Sequence, residues 1–244
     1  MERSAGLVGA TQPGSQRRGG RRAARAAGYP GARTLRVMVL ALDEEDLIGV
    51  DVASGVLVRT RLPRVEAGAG LFADVASYSL VEATLADPPE LDDPAQPETL
   101  LLAEPPTPIG KMRSRRRARR LLQPIAGSPA GPLLGFPGTA ARYWTFSGAN
   151  PSATLVRLEG EIAVYRSRAG GSAVVRLAWR GGHDRLPLAD PAAVAALEQA
   201  RGAMLGAEAL RRSLGLRPRF ALVALTPPID GNCYKVVRKI LPRP

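Results

Sequence analysis

Residues 35–62 read LRVMVLALDEEDLIGVDVASGVLVRTRL, and their periodicity points to short β-strands. Leu35–Leu42 is an apolar run that breaks off at Asp43-Glu44-Glu45-Asp46. Beyond the acids, Ile48, Val50 and Val52 alternate with Gly49 and Asp51. Val56, Val58 and Leu62 then alternate with Leu57, Arg59 and Arg61. A period of two divides a strand into one buried and one wet face. Ala53-Ser54-Gly55 between the two alternating runs is a hairpin signal.

The same pattern recurs downstream. Strands are expected at Ala153–Leu158, Ile162–Arg168, Ala173–Arg180 and His183–Leu188, separated by Glu159-Gly160, Gly170-Gly171 and Gly181-Gly182. Leu71–Leu85 suits either strand or helix, and the alternation of Tyr78, Leu80 and Glu82 favours strand. Asp190 followed by Pro191 starts a helix, with a side-chain cap and proline at the first helical position. Gly202 and Gly206 interrupt the stripe Val194, Leu197, Arg201, Met204 and Leu205, so a kink or two short helices are expected. Arg211 and Arg212 suit the negative end of the helix dipole, and Gly215 with Pro218 ends the segment. Arg219–Thr226 and Cys233–Leu241 read as two further strands around a six-residue loop, residues 227–232.

The expected fold is therefore α+β and β-rich, with mainly antiparallel strands and one principal helical segment near 191–214. Residues 1–33 read as a disordered basic tail, 34–86 as a small β subdomain, and 139–244 as a β-rich α+β domain. Between them, 87–138 reads as a Pro/Gly-rich linker, first acidic and then basic. The small early strands also allow an OB-like barrel, an analogy of fold that carries no function.

At 244 residues the chain is long enough to bury a core, and 45% hydrophobic with 23% charged residues is a globular composition. One Cys and one His exclude an internal disulfide framework and a Cys/His zinc site. Arg17-Arg18 and Arg21-Arg22 evoke a twin-arginine signal, but Val37–Leu42 runs straight into acids instead of a cleavage site. No apolar run is long enough to span a bilayer, so a cytoplasmic chain without a membrane span is expected. Arginine greatly outnumbers lysine (only Lys111, Lys235 and Lys239), and with abundant Ala, Gly and Pro this suggests a GC-rich, bacterial coding sequence. Codon bias explains that preference but not the net charge of +12.

The charge is segmented. Residues 65–110 hold nine acids and no base, whereas the ten residues 111–120, KMRSRRRARR, hold seven bases and no acid. Treated as a helix, that run puts arginine on every face and offers no apolar stripe for docking. Extended, it could follow a phosphate backbone. Phe136, Tyr143, Trp144 and Phe146 lie close downstream, and cations with aromatic rings are the ingredients of single-strand and RNA binding.

Other chemistries are poorly supported. Gly68-Ala69-Gly70-Leu71-Phe72-Ala73 fits a dinucleotide-binding spacing, but Arg61–Glu66 before it is no apolar strand. Gly110-Lys111 lacks the upstream glycine and following Ser/Thr of a P-loop. No G-x-S-x-G elbow occurs, and Cys233 with His183 is the one thiol–imidazole pair the composition allows. The acidic turn 43–46 lacks EF-hand spacing and reads as solvated. Neither cofactor nor metal is expected.

Three functions stay open. The first is non-enzymatic association with RNA or DNA through Lys111, Arg113, Arg115, Arg116, Arg117, Arg119 and Arg120, with Tyr143 and Trp144 stacking on bases. The second is an assembly module whose acidic and basic stretches pair with each other or with an acidic protein partner. The third is an enzyme built on Cys233 and His183.

Overall fold

The computed structural model describes residues 34–42, 46–62, 75–127, 131–158, 162–167, 171–180, 182–200 and 204–244. The N-terminal tail, the glycine motif at 68–73 and Asp43, Glu44 and Glu45 lie outside them.

The first five strands are β1 (Thr34–Leu42), β2 (Asp46–Asp51), β3 (Leu57–Arg61), β4 (Ser79–Glu90) and β5 (Thr99–Leu102). Their sheet order is β1-β2-β3-β5-β4, and β1 also pairs with β4, so the sheet closes into a barrel. Every joint is antiparallel except β3 with β5. Leu35, Val37, Val39, Leu47, Val58, Val81, Ala83, Leu100 and Leu102 fill the interior. In β3 the alternation seen in the sequence supplies that inner face through Val58, whereas in β2 Ile48 and Val50 lie on the barrel's outer wall and Leu47 turns inward.

Residues 87–138, a linker by composition, contribute regular structure. Strand β4 runs on to Glu90, and the apolar run Thr99–Leu102 becomes β5 despite its proline-rich flanks. Strand β6 (Thr107–Lys111) pairs with β4 at the sheet's edge, where the register shifts beside Pro108. Helix α1 (Arg115–Leu122) follows.

The second half holds two four-stranded sheets. The central one, in the order β7-β14-β13-β8, contains β7 (Ala140–Arg142), β8 (Ala153–Arg157), β13 (Phe220–Leu225) and β14 (Asn232–Leu241). The outer one, in the order β11-β10-β9-β12, contains β9 (Ala163–Arg166), β10 (Ala173–Trp179), β11 (Gly182–Pro187) and β12 (Met204–Gly206). The helical region resolves into α2 (Pro191–Gln199), capped by the Asp190 carboxylate, and α3 (Ala207–Leu214), with β12 between them. Gly215 closes α3 at φ +63°, the left-handed conformation that glycine adopts without a Cβ penalty. The molecule is thus β-rich α+β with mostly antiparallel sheets, and no helix among the described residues is long and apolar enough to cross a membrane.

Strand β13, FALVAL, is covered on both faces. Ala221, Val223 and Leu225 join the core under the outer sheet, α2 and α3. Leu222 and Ala224 join Ala153, Leu155 and Leu241 against Met38, Leu40, Ile48, Val50 and Leu57 on the barrel's outer wall. The face of β3 expected to be wet, Leu57 and Arg59, is therefore buried, because the central sheet lies on it together with Ile48 and Val50 of β2.

That contact buries charge. Arg59 is 0% exposed, and its Nη1 donates to Asp46 Oδ2 at 3.0 Å and to Leu225 O at 3.3 Å. Asp46, expected in a solvated turn, is buried and also accepts from Arg61 Nε at 2.6 Å. Each charge can leave water because an opposite charge and hydrogen bonds meet it.

Lys235 is buried as well, donating to Phe136 O at 2.6 Å and Gly138 O at 2.7 Å with its Nζ 3.9 Å from the Phe136 ring centre. Burial pushes it down from 10.5 to about 8, opposed by Asp184. Between those values the unfolded chain binds the extra proton, so this residue's contribution to stability rises with pH over about 8 to 10.5. Urea titrations at either end of that window should show wild type gaining on Lys235→Met as pH rises; a constant difference contradicts the assignment.

Candidate functional site

The basic run forms the end of β6 and most of α1. The Ser114 hydroxyl caps the helix by accepting from Arg117 N at 3.2 Å. Ala118, Leu121 and Leu122, spaced i, i+3 and i+4, are buried against the barrel wall and β8. A docking stripe therefore exists, contrary to the reading of 111–120 alone. It was hidden because two of its three members stand past Arg120.

Burying that stripe turns the cations outward. Lys111, Arg113, Arg115, Arg116, Arg117, Arg119 and Arg120 are all exposed. Among the described residues no carboxylate pairs with any of them. Part of the acidic stretch is engaged elsewhere: Glu98 accepts from Ser152 N, Glu104 from Thr84 Oγ1, and Asp93 Oδ1 from Ala95 N. Arg115, Arg116 and Arg117 also occupy the first turn of α1, which contains no acid. The positive end of the dipole disfavours cations there, so helix stability does not account for them.

At the C-terminal end of α1 the run meets other elements. A cavity of about 480 Å³ is lined by Arg119, Arg157, Arg219, Arg243, Phe220 and Gln123, among others, with no Asp or Glu side chain among the described lining residues. Phe220 lies opposite Arg157 in the β8–β13 register, and Arg219 N donates to Leu241 O at 2.8 Å. The hydroxyl of half-buried Tyr78, its pKa raised by desolvation, donates to Pro242 O at 2.6 Å and holds the C-terminal segment. Tyr78 O also accepts from Met112 N, which brings the start of the run to the same end of the molecule.

The aromatic residues named from sequence lie elsewhere. Tyr143 N donates to Gly231 O, and Arg142 pairs with Asn232 at the opposite end of β14 from Leu241. At about 3.3 Å per residue, β14 separates the two ends by roughly 30 Å. Phe136 and Phe146 meet edge-to-face at 5.6 Å and, like Tyr143, pack on the core. Burial, then Asp93, raise the Tyr143 hydroxyl above its ordinary pKa. Trp144 is 66% exposed, with the Arg142 guanidinium 5.2 Å from its ring centre. The ring beside the run is Phe220 instead. Nothing local marks Phe220, Arg157, Arg219 or Arg243; a pair of predicted strand ends each carrying Arg is the nearest signal.

Cys233 and His183 are not brought together as a dyad. Cys233 is sealed in the core, and burial with Asp93 pushes its thiol up to about 11 against the opposing charge of Arg59. His183 is exposed on β11, paired opposite Ala178. A nucleophilic thiol needs the opposite shift. No group of three His, Cys, Asp or Glu side chains among the described residues could hold a metal ion.

The strand order β1-β2-β3-β5-β4-β1 with its one parallel joint closes a five-stranded barrel, an arrangement analogous to that of OB barrels. Such barrels usually receive oligonucleotides on the β2–β3 face and the β1–β2 and β4–β5 loops. Here that face is buried under the central sheet, and Ala95, Gln96 and Glu98 of the β4–β5 loop are buried too. No family model, curated protein or solved structure matches this chain.

Proposed function

We propose that this is a cytoplasmic, non-enzymatic protein that associates with nucleic acid by holding backbone phosphates with Lys111, Arg113, Arg115, Arg116, Arg117, Arg119 and Arg120. One observation carries the proposal: seven exposed cations with no described carboxylate partner, three of them set against the dipole of their own helix. A protein keeps such an arrangement for something other than stability. Sequence specificity is expected to be weak, because phosphate contacts position a protein without reading bases. Tyr143 and Trp144 would be reached only by a strand that follows β14 from end to end.

If every cation of the run meets a duplex phosphate, log K against log salt has a slope of about −6. Replacing Arg115, Arg116, Arg117 and Arg120 by Gln should flatten that slope by about 0.9 per residue, with binding to DNA and RNA weakened across sequences. Since these side chains are exposed, the variant should melt like wild type. Fluorescence anisotropy over a salt series measures both quantities. A flat wild-type response, or unchanged binding by the variant, refutes the proposal.

A further inference from the structure

The cavity at the end of α1 differs from the run in being concave. Its volume, about 480 Å³, falls among small-molecule and nucleotide sites, roughly 300–1,000 Å³, and a double helix is too broad to enter it. Arg119, Arg219 and Arg243 come from a helix, a strand start and the C-terminal segment, with Arg157 from the end of β8. Pro244, the last residue, also lines the cavity, so one terminal carboxylate stands against four guanidiniums and the potential within the concavity stays positive.

The walls are held in place. Ala126 bridges to Leu155, Thr154 Oγ1 donates to Ile125 O at 3.0 Å, and the tail is tied down through Tyr78. A site whose walls are already positioned loses less ordering entropy on binding. Phe220 is half-buried, its covered part packed on the core beneath, and it also lines the cavity. Guanidinium groups around an aromatic ring are the chemistry that holds a phosphate and stacks a base. Because Arg119 belongs to both cavity and run, a chain lying along α1 leads into the cavity.

We infer that this cavity seats a nucleotide of single-stranded nucleic acid, with phosphate on Arg119, Arg219 and Arg243 and the base against Phe220. It builds on nucleic acid being the partner and adds that the bound form is single-stranded. The test measures anisotropy with a labelled oligo-dT 20-mer and a 20-base-pair duplex at one salt concentration. Wild type should prefer the single strand. Arg219→Gln combined with Arg243→Gln should lower single-strand affinity tenfold or more and leave duplex affinity within about twofold. Phe220→Leu, which keeps the charge, should lower single-strand affinity about fivefold or more. Thermal melts verify that each variant is folded.

Equal wild-type binding of both nucleic acids overturns the inference. So does an equal loss of both in the cavity variants, since the arginines would then act only as general charge. A run variant that binds normally while the cavity variants fail refutes the phosphate-tract proposal and leaves the cavity assignment standing.

Discussion

Asp46→Asn is expected to destabilise the protein by about 3–5 kcal/mol, the cost of leaving a buried charge without its counter-ion. The Arg59 side chain is 0% exposed, with its Nη1 3.0 Å from Asp46 Oδ2. Its next carboxylate, Glu98, stands 4.0 Å away and already accepts from Ser152. Asparagine keeps the shape of aspartate, but it removes the charge and turns one of the two acceptor oxygens into an amide donor. Arg59 and Arg61 would then compete for a single neutral amide oxygen, leaving Arg59 the Leu225 carbonyl, no counter-ion within hydrogen-bond reach and no route to water. Arg61 would lose the same partner, reached now at 2.6 and 2.9 Å, and keep Gln96 Oε1 at 2.9 Å.

Because these groups join β2 and β3 to Ser152 and Leu225, the barrel and the second half should loosen together. Urea denaturation followed by circular dichroism measures the change. A loss below about 1 kcal/mol would show that the cluster is not held as a unit. Replacing both partners, Asp46→Leu with Arg59→Met, should recover much of the loss, since an apolar pair leaves no orphaned charge. Burial alone would raise the Asp46 carboxyl; the Arg61 and Arg59 guanidiniums outweigh it and hold the group below 3.8. Its stabilising contribution is therefore complete above that value and fades as pH falls through the lowered folded pKa.

Gly49→Ala should cost about 3 kcal/mol, the upper end for overpacking a filled interior. A Cβ at Gly49 would overlap Val37 Cγ1 and lie 2.6 Å from the Met38 carbonyl oxygen. A flexible side-chain tip could swing away, but a backbone carbonyl within a strand ladder cannot. Gly49 pairs with Val39 and Val58, so relief would require β2 to lift from both neighbours. At about 2–4 °C per kcal/mol for a chain of this size, the melting temperature should fall by roughly 10 °C. A shift under about 2 °C would mean that β2 has room the packing does not show.

Much of the secondary structure was legible because its causes are local. The turn at 53–55, the Asp190-Pro191 helix start and the glycine at 215 each act over a few residues, and each stands where the sequence places it. FALVAL, apolar without alternation, is what a strand covered on both sides looks like. Two readings failed for identifiable reasons. Proline density around Thr99–Leu102 masked a strand whose own residues are apolar. The basic run appeared undockable because Leu121 and Leu122 fell just past its end.

For the candidate site, sequence supplied the cations of α1 but not their setting. Arg157, Arg219 and Arg243 are far from Arg119 along the chain and meet it only because β8, β13 and the C-terminal segment end at one corner. Tyr143 and Trp144 are close to the run in sequence and far from it in space, since β14 carries them to the other end.

By itself, then, the amino-acid sequence determined the strand periodicity, the helix ends and the uneven distribution of charge. Those properties depend on residue type and on neighbours a few positions away. Only the tertiary structure decided that β1 closes onto β4, that the barrel's usual ligand face becomes a core, and that Arg59 is sealed while the α1 arginines face water. Which face of a strand meets solvent depends on surfaces brought together from distant parts of the chain, and no local pattern encodes that meeting.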